Sequence, residues 1–276
     1  METLSIKNPF NEAPVFRAET VSSTMDVSRA LAAQGFPHGT VIVADRQSAG
    51  RGRIPERAWQ SAAGNLYCTL LLRYRGFSDI PKAITLKTGL AAACAIEDFA
   101  AGLTRRVPAC GVQHTALVKW PNDIMLCPNA GTDGARKAAG IISESDGKTV
   151  FIGIGVNVAQ TQFPDDLREK ATSIALAYGA SPEHDDRFRA LERILAYLYR
   201  ELRQTDGSWR ERLSGRLYLK GTQVRFIAGG TGSDEYVEGT LYGIGEDGSL
   251  LIERRQRAGT RVEAFFTGEL DMYPHG

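Results

Sequence analysis

No run in these 276 residues approaches the ~18 consecutive apolar residues that a membrane-spanning helix needs. Residues 1–14 contain no basic segment followed by an apolar core, so no secretory signal is read there and a cytoplasmic location is expected. The formal net charge is only +1, which excludes broad electrostatic binding of nucleic acid or an acidic membrane and leaves any basic function to a local cluster. Cysteine is scarce: Cys68, Cys94, Cys110 and Cys127 form no Cys-x-x-Cys pair and accompany no paired histidine spacing, so they read as incidental thiols rather than zinc ligands. His38, His114, His184 and His275 are scattered, and without a Gly-x-Ser-x-Gly element they offer no triad hydrolase. No low-complexity segment or fixed-period repeat interrupts a composition that is 43% hydrophobic and 24% charged, which suits a globular chain of one or two domains.

What the chain does have is a concentrated stretch, Gln47-Ser48-Ala49-Gly50-Arg51-Gly52-Arg53. Two glycines interleaved with two arginines let a backbone approach a ligand closely while two permanently charged forks point at it, a combination suited to phosphate. No Gly-Lys-Ser/Thr closes the stretch, so it is not a P-loop, and taken alone it also reads as a basic surface turn.

Around it the pattern alternates helix and strand signals. Ser22-Ser23-Thr24 caps an amphipathic segment that stops at Gly35. Residues 40–44 and 65–72 are apolar, β-rich runs read as strands, and the first delivers the Gly50 loop. Pro81 opens an Ala-rich helix to about residue 101, buried on several sides. Residues 116–126 form a hairpin about Pro121-Asn122-Asp123, with Lys119 set at the end of an apolar strand, either snorkelling at an edge or held in a site. Two more strands cover 138–142 and 149–158, the second with Gly153 and Gly155 on one face, where something must approach closely or the sheet packs tightly. Residues 186–204 carry the clearest helical periodicity, and it speaks of packing alone. Beyond Gly215 the texture becomes short strands separated by Gly229-Gly230 and Asp247-Gly248, the pattern of a small β-barrel.

Three stretches in this order, Ala49-Gly50-Arg51-Gly52-Arg53, Lys119-Trp120-Pro121-Asn122-Asp123 and Gly153-Ile154-Gly155-Val156-Asn157, resemble the signature of biotin protein ligases. The resemblance runs from about Val15 to Met272. It implies an α/β (α+β) fold: a mixed-sheet catalytic domain akin to class II aminoacyl-tRNA synthetases, then an SH3-like C-terminal β-barrel. The expected division is an extension at 1–14, a catalytic biotin- and ATP-binding domain at 15–214 and the small domain at 215–276. The implied reaction joins biotin and ATP, with Mg²⁺, into biotinyl-5′-AMP and pyrophosphate, then passes biotin to a lysine on the biotin carboxyl carrier domain of a carboxylase.

By the same resemblance Lys119 and Arg53 are the catalytic cations, and Ser23, Thr24, Gln47, Gly50, Arg51, Gly153 and Gly155 bind biotin. Arg51, Arg53, Trp59, Lys119 and Asn157 meet ATP, with Trp59 stacking on adenine and Asn157 reading its edge. No metal ligand is assigned. A neutral ureido head needs short donors and acceptors, which Ser23, Thr24 and Gln47 supply. Two departures stand out. Met25 replaces the asparagine usual after Ser-Thr, and Ile54-Pro55-Glu56 replaces a Gly- and Arg-rich run, lowering the loop's charge. A lipoate or octanoate ligase shares the implied fold and remains the alternative. The segment before Ser22 is too short for the winged helix of a DNA-binding repressor, so no nucleic-acid role is expected, and monomer and homodimer both stay open.

Overall fold

The structure, a computed structural model, describes residues 1–54, 58–104, 114–128, 132–229, 236–256 and 259–271. Eight strands make the main sheet: β1 (Glu2–Thr3), β2 (Val15–Val21), β3 (Val41–Gln47), β4 (Leu66–Arg73), β5 (His114–Lys119), β6 (Asp123–Pro128), β7 (Arg136–Ser145) and β8 (Thr149–Val156). Their order is β1-β2-β3-β4-β8-β7-β6-β5. β2 and β3 run parallel and the remaining pairs antiparallel, so the sheet is mixed as expected.

Alternation along the strands separates two faces. Leu66, Cys68, Leu70 and Leu72 of β4, with Val150, Ile152, Ile154 and Val156 of β8, point into the main core. That core is closed by α2 (Ile84–Thr104) and α4 (Asp186–Arg203). The intervening residues face α1 (Thr24–Ala33), where Met25 packs with Leu71, Phe151 and Ile142. α1 starts where Ser23 accepts a hydrogen bond from the Met25 amide, and the chain leaves it through Gly35 at φ +84. α2 begins at Ile84 rather than Pro81, after Ala83 takes a left-handed turn (φ 55). Short α3 (Ile174–Tyr178) and α5 (Trp209–Ser214) complete the helices.

Residues 1–14, set apart above as an extension, pack onto the large sheet. β1 pairs with β2, Phe10 is 3% exposed in the core, and the Asn8 amide donates to the Ala13 and Gly39 carbonyls, both at 2.8 Å. Leu4, Ile6 and Phe10 make this packing, but they are too few and too irregularly spaced to set a period in the sequence.

A second, wholly antiparallel sheet follows: β9 (Gln223–Ala228), β10 (Tyr236–Ile244), β11 (Leu250–Gln256), β12 (Gly259–Phe265) and β13 (Gly268–Leu270), in the order β12-β11-β10-β9-β13. Among the described residues its ladders end at β12 and β13, so the sheet is open where a closed barrel was expected. It is anchored by Trp120, which is 3% exposed, donates Nε1–H to the Gly248 carbonyl at 3.0 Å and tilts against Phe226. Among the described residues no helix is long and apolar enough to cross a membrane.

Candidate active site

The sheet face that α1 leaves uncovered, beside the Gly50 loop, carries a cavity. Ser23, Thr24, Gln47, Arg51, Arg53, Trp59, Gly153 and Gly155 all line it, so eight residues chosen from sequence converge across α1, β3, β8 and the loop. Its floor consists of glycines. Gly140 of β7 and Gly155 of β8 are register partners, and the Trp59 indole lies against both. A Cβ added at Gly155 would stand 2.7 Å from the indole, and one at Gly140 2.8 Å. At Gly153 a Cβ would meet Met25 Sδ at 3.0 Å. The glycines do clear space on one strand face, but this chain's own Trp59 and Met25 fill it. What remains is about 60 Å³, room for a water or two and far below the ~300 Å³ or more of a small-molecule pocket.

One wall is a chain of neutral polar groups. The Thr69 hydroxyl donates to Thr24 Oγ1 at 2.8 Å. Thr24 then donates through its amide (2.9 Å) and hydroxyl (3.2 Å) to Gln47 Oε1, while Gln47 Nε2 donates to Ser61 at 3.2 Å. Burial of Ser23 and Thr24, 2% and 3% exposed, holds these short side chains to one geometry. Tyr67 donates to the Ala62 carbonyl at 2.8 Å, and burial pushes its phenol up to about 12, so it stays a donor at neutral pH. Burial also pushes the Cys68 thiol up to about 12, which removes it as a nucleophile although it borders the cavity.

The cations approach from the loop and from β7. Arg51 pairs with Asp26 of α1. Arg53 reaches the second sheet, where Nη2 donates to the Gly268 carbonyl at 3.2 Å and lies 3.9 Å from Glu269. Gly50 does not need a left-handed φ; it is required because a Cβ there would sit 2.5 Å from the Trp59 carbonyl, across a contact where Trp59 N–H donates to the Gly50 carbonyl at 2.9 Å. The Pro55-Glu56 departure lies outside the described residues.

Three expected residues stand apart from the lining. Gly50 shapes the loop from behind. Lys119 ends β5 as the register partner of Asp123 and is not among the residues that border the cavity. Asn157 is 6% exposed and its amide donates to the Thr172 carbonyl at 3.0 Å, which fixes the chain after β8. Sequence reasoning in turn missed Lys137, Gly140, Asn122 and Tyr67, all in the wall. The signal for Gly140 was present: pairing the two strands about the Asp146-Gly147 turn sets it opposite Gly155.

A larger hollow of about 750 Å³ lies on the α2 and α4 side. Four of its charged residues are paired with one another, Arg212 with Glu201 at 2.7 Å and Arg216 with Glu97 at 2.8 Å, and none of the motif residues chosen from sequence lines it. The smaller cavity is therefore the candidate site.

Residues 18–158 match the Biotin/lipoate A/B protein ligase family. The bifunctional ligase/repressor BirA of Bacillus subtilis is 34% identical over 252 residues, covering 86% of this chain and 69% of that protein. The biotin–[acetyl-CoA-carboxylase] ligase of Paracoccus denitrificans is 31% identical over 246 residues, 86% of this chain and 94% of that one. Among solved structures, a biotin protein ligase from Leishmania major in complex with biotinyl-5-AMP is 26% identical with a TM-score of 0.56 over 92% of this chain and 98% of that chain. A biotin protein ligase from Aquifex aeolicus in complex with biotin and ATP, at 23% identity, shares the fold with a TM-score of 0.69 over 93% and 97%. The family match and the identity across most of the chain agree, and this chain belongs to the Biotin/lipoate A/B protein ligase family.

Proposed function

We propose that the chain is an ATP-dependent biotin protein ligase: it condenses biotin with ATP to biotinyl-5′-AMP and pyrophosphate and transfers biotin to a lysine of a carboxylase carrier domain. The observation that carries this reading is the 31% identity across nearly the whole of a biotin–[acetyl-CoA-carboxylase] ligase, coupled to motif residues that meet in one cavity. The Thr69-Thr24-Gln47-Ser61 chain presents donors and acceptors without charge, which matches the neutral ureido head of biotin. Arg51, Arg53 and Lys119 take the carboxylate and phosphates, where preorganised cations stabilise charge that shifts during attack on the α-phosphorus. The bound anhydride is then held until the ε-amine of the carrier lysine attacks its carbonyl and AMP leaves. Residues 15–214 carry the reaction and 215–276 form the smaller domain. Mg²⁺ enters this reading as part of the MgATP substrate, and no step is assigned to a resident metal.

The decisive experiment mixes the protein with biotin, MgATP and an isolated carboxylase carrier domain. Biotin-dependent pyrophosphate release followed by avidin-detectable carrier is expected; release driven equally by lipoate or octanoate, or none with any acid, would overturn the assignment.

Since Trp59 occupies the glycine floor, ligand entry has to move it. Its Nε1 is buried without a hydrogen bond, so leaving costs no such bond. Saturating biotin should therefore shift tryptophan emission, and Trp59→Phe should abolish the shift, because Trp120 and Trp209 are 3% and 7% exposed in sites away from the cavity. Unchanged emission in a protein that biotin demonstrably stabilises would mean that the indole stays in place.

A further inference from the structure

We propose that β12 is a docking edge for a second copy of this chain, the two copies pairing antiparallel about a two-fold axis at Val262 so that their C-terminal sheets join into one. The inference stands apart from the ligase reading above and uses none of the residues of the cavity.

Four strands end the two sheets, and three of them offer little to a partner. β1 and β13 are two and three residues long. β5 has six residues, but its outer edge is sealed. The Ala116 N–H donates to Glu97 Oε1 at 2.8 Å and its carbonyl accepts from Arg216 Nη1 at 3.2 Å, while Val118 donates to the Arg216 carbonyl at 2.7 Å and accepts from Tyr218 N–H at 2.9 Å. β12 has seven residues and, among the described residues, pairs with β11 on one side alone. None of the seven is buried, and Val262 is 42% exposed. An edge of that length, about 24 Å at ~3.4 Å per residue, carries a row of backbone donors and acceptors that another strand can meet.

The register with β11 sorts the side chains of β12. Val262 stands opposite Glu253 and Ala264 opposite Leu251 on one face, whereas Arg261 and Glu263 stand opposite Arg254 and Ile252 on the other. Within one chain this second face is unbalanced. Two arginines oppose each other, Arg254 reaches aside to Glu263 at 2.9 Å, and Arg261 is left with no ion pair among the described residues.

The order Arg261-Val262-Glu263 is its own complement when reversed. With Val262 facing Val262 of the second copy, each Arg261 faces a Glu263, Thr260 faces Ala264 and Gly259 faces Phe265, so every residue of the strand finds an opposite number. Charge also selects this register. An axis at Arg261 sets guanidinium against guanidinium, an axis at Glu263 sets carboxylate against carboxylate, and a slip of one residue mismatches the two faces. Pairing about Val262 gives Arg261 the carboxylate it lacks, while the same Glu263 keeps Arg254, since a carboxylate accepts from several donors. One strand pair is a small interface on the scale where stable complexes bury ~1,200 Å² or more, so the association is reversible and depends on concentration.

The test measures the mass of the full chain by sedimentation as its concentration is raised from micromolar to submillimolar, with the unfolding midpoint of each variant recorded beside it. Wild type is expected to move from 30.0 kDa toward twice that mass. Arg261→Glu places an acid opposite Arg254 within the chain, so the fold is kept, but sets carboxylate against carboxylate across the axis; the dissociation constant should rise about tenfold or more. Glu263→Lys should do the same with like cations. Mixed in equal amounts, these two variants should associate again, because each acid of one strand then faces a cation of the other. Should Glu263→Lys fail to fold without its Arg254 contact, Val262→Lys takes its place: it meets Glu253 within its own sheet and a second lysine across the axis, and it should stay monomeric. A wild type that remains at 30.0 kDa throughout would overturn the proposal, as would a dimer that persists in folded Arg261→Glu or Val262→Lys. Folded, monomeric Arg261→Glu and Glu263→Lys that do not associate when mixed would overturn the pairing about Val262.

Discussion

Arg53→Gly should slow adenylate formation about 10- to 100-fold and release the intermediate faster, since a charge-assisted contact contributes roughly 1.5–3 kcal/mol. The structure adds a reason beyond charge. Arg53 ties the loop to the second sheet through the Gly268 carbonyl, and that carbonyl is within reach because Gly268 adopts φ +134, with a would-be Cβ only 2.3 Å from the Ile227 carbonyl. Removing the arginine would therefore cut both the proposed ligand contact and the tie between the loop and the second sheet. A released acyl-adenylate reacts with any exposed lysine, so the variant should biotinylate albumin, a protein with no carrier domain, which wild type leaves unlabelled. Equal transfer rates to carrier and unlabelled albumin in both proteins would place Arg53 among ordinary surface charges, which contribute little.

Asp45→Ala should cost about 3–5 kcal/mol of stability, a large share of the ~5–15 kcal/mol typical of a domain. The Arg187 side chain is completely buried, and its Nη2 donates to Asp45 Oδ1 at 2.6 Å; Arg17 binds the other oxygen at 2.7 Å. Without the carboxylate, a guanidinium with no access to water loses its counter-charge, and Nε and Nη1 of Arg187 already lack hydrogen-bond partners. Burial pushes the Asp45 carboxyl up, but hydrogen bonds from Arg17 and Arg187 outweigh it and hold the group below its ordinary range. A folded-state value below the unfolded one means that this stabilisation is present above the unfolded value near 4 and is lost as pH falls through the folded one. Urea midpoints at pH 7 should therefore drop in the variant, and between about pH 5 and 3 wild type should lose stability more steeply than Asp45→Ala. Parallel acid slopes would rule out the carboxylate as the titrating support.

Sequence reasoning reached the elements whose signals are local. The Ser23 cap and Gly35 stop of α1, the hairpin about Pro121-Asn122-Asp123, the periodic Leu191, Leu195 and Leu198 of α4, and the turn to short strands after Gly215 all depend on neighbours a few residues apart. The arginine loop and the GIGVN strand were legible for the same reason, and their family followed from their order. What the local pattern cannot carry is who fills the space that glycine leaves. Gly155 announces a clearing on one strand, but its occupant, Trp59, arrives from a loop, and the matching clearing at Gly140 comes from the neighbouring strand. The periodicity of α4 likewise said packing and gave no hint that Arg187, inside it, meets a carboxylate of β3. Lys119 drew notice as a charge at the end of an apolar strand, whereas Lys137, which the sequence did not single out, is the lysine that borders the cavity, and side-chain direction on the sheet decided between them. Sequence determined the elements and the chemistry available, because propensity and capping act over one or two turns. Tertiary structure alone decided which of those groups share a cavity, because pairing register and long-range ion pairs join residues with no periodic relation along the chain.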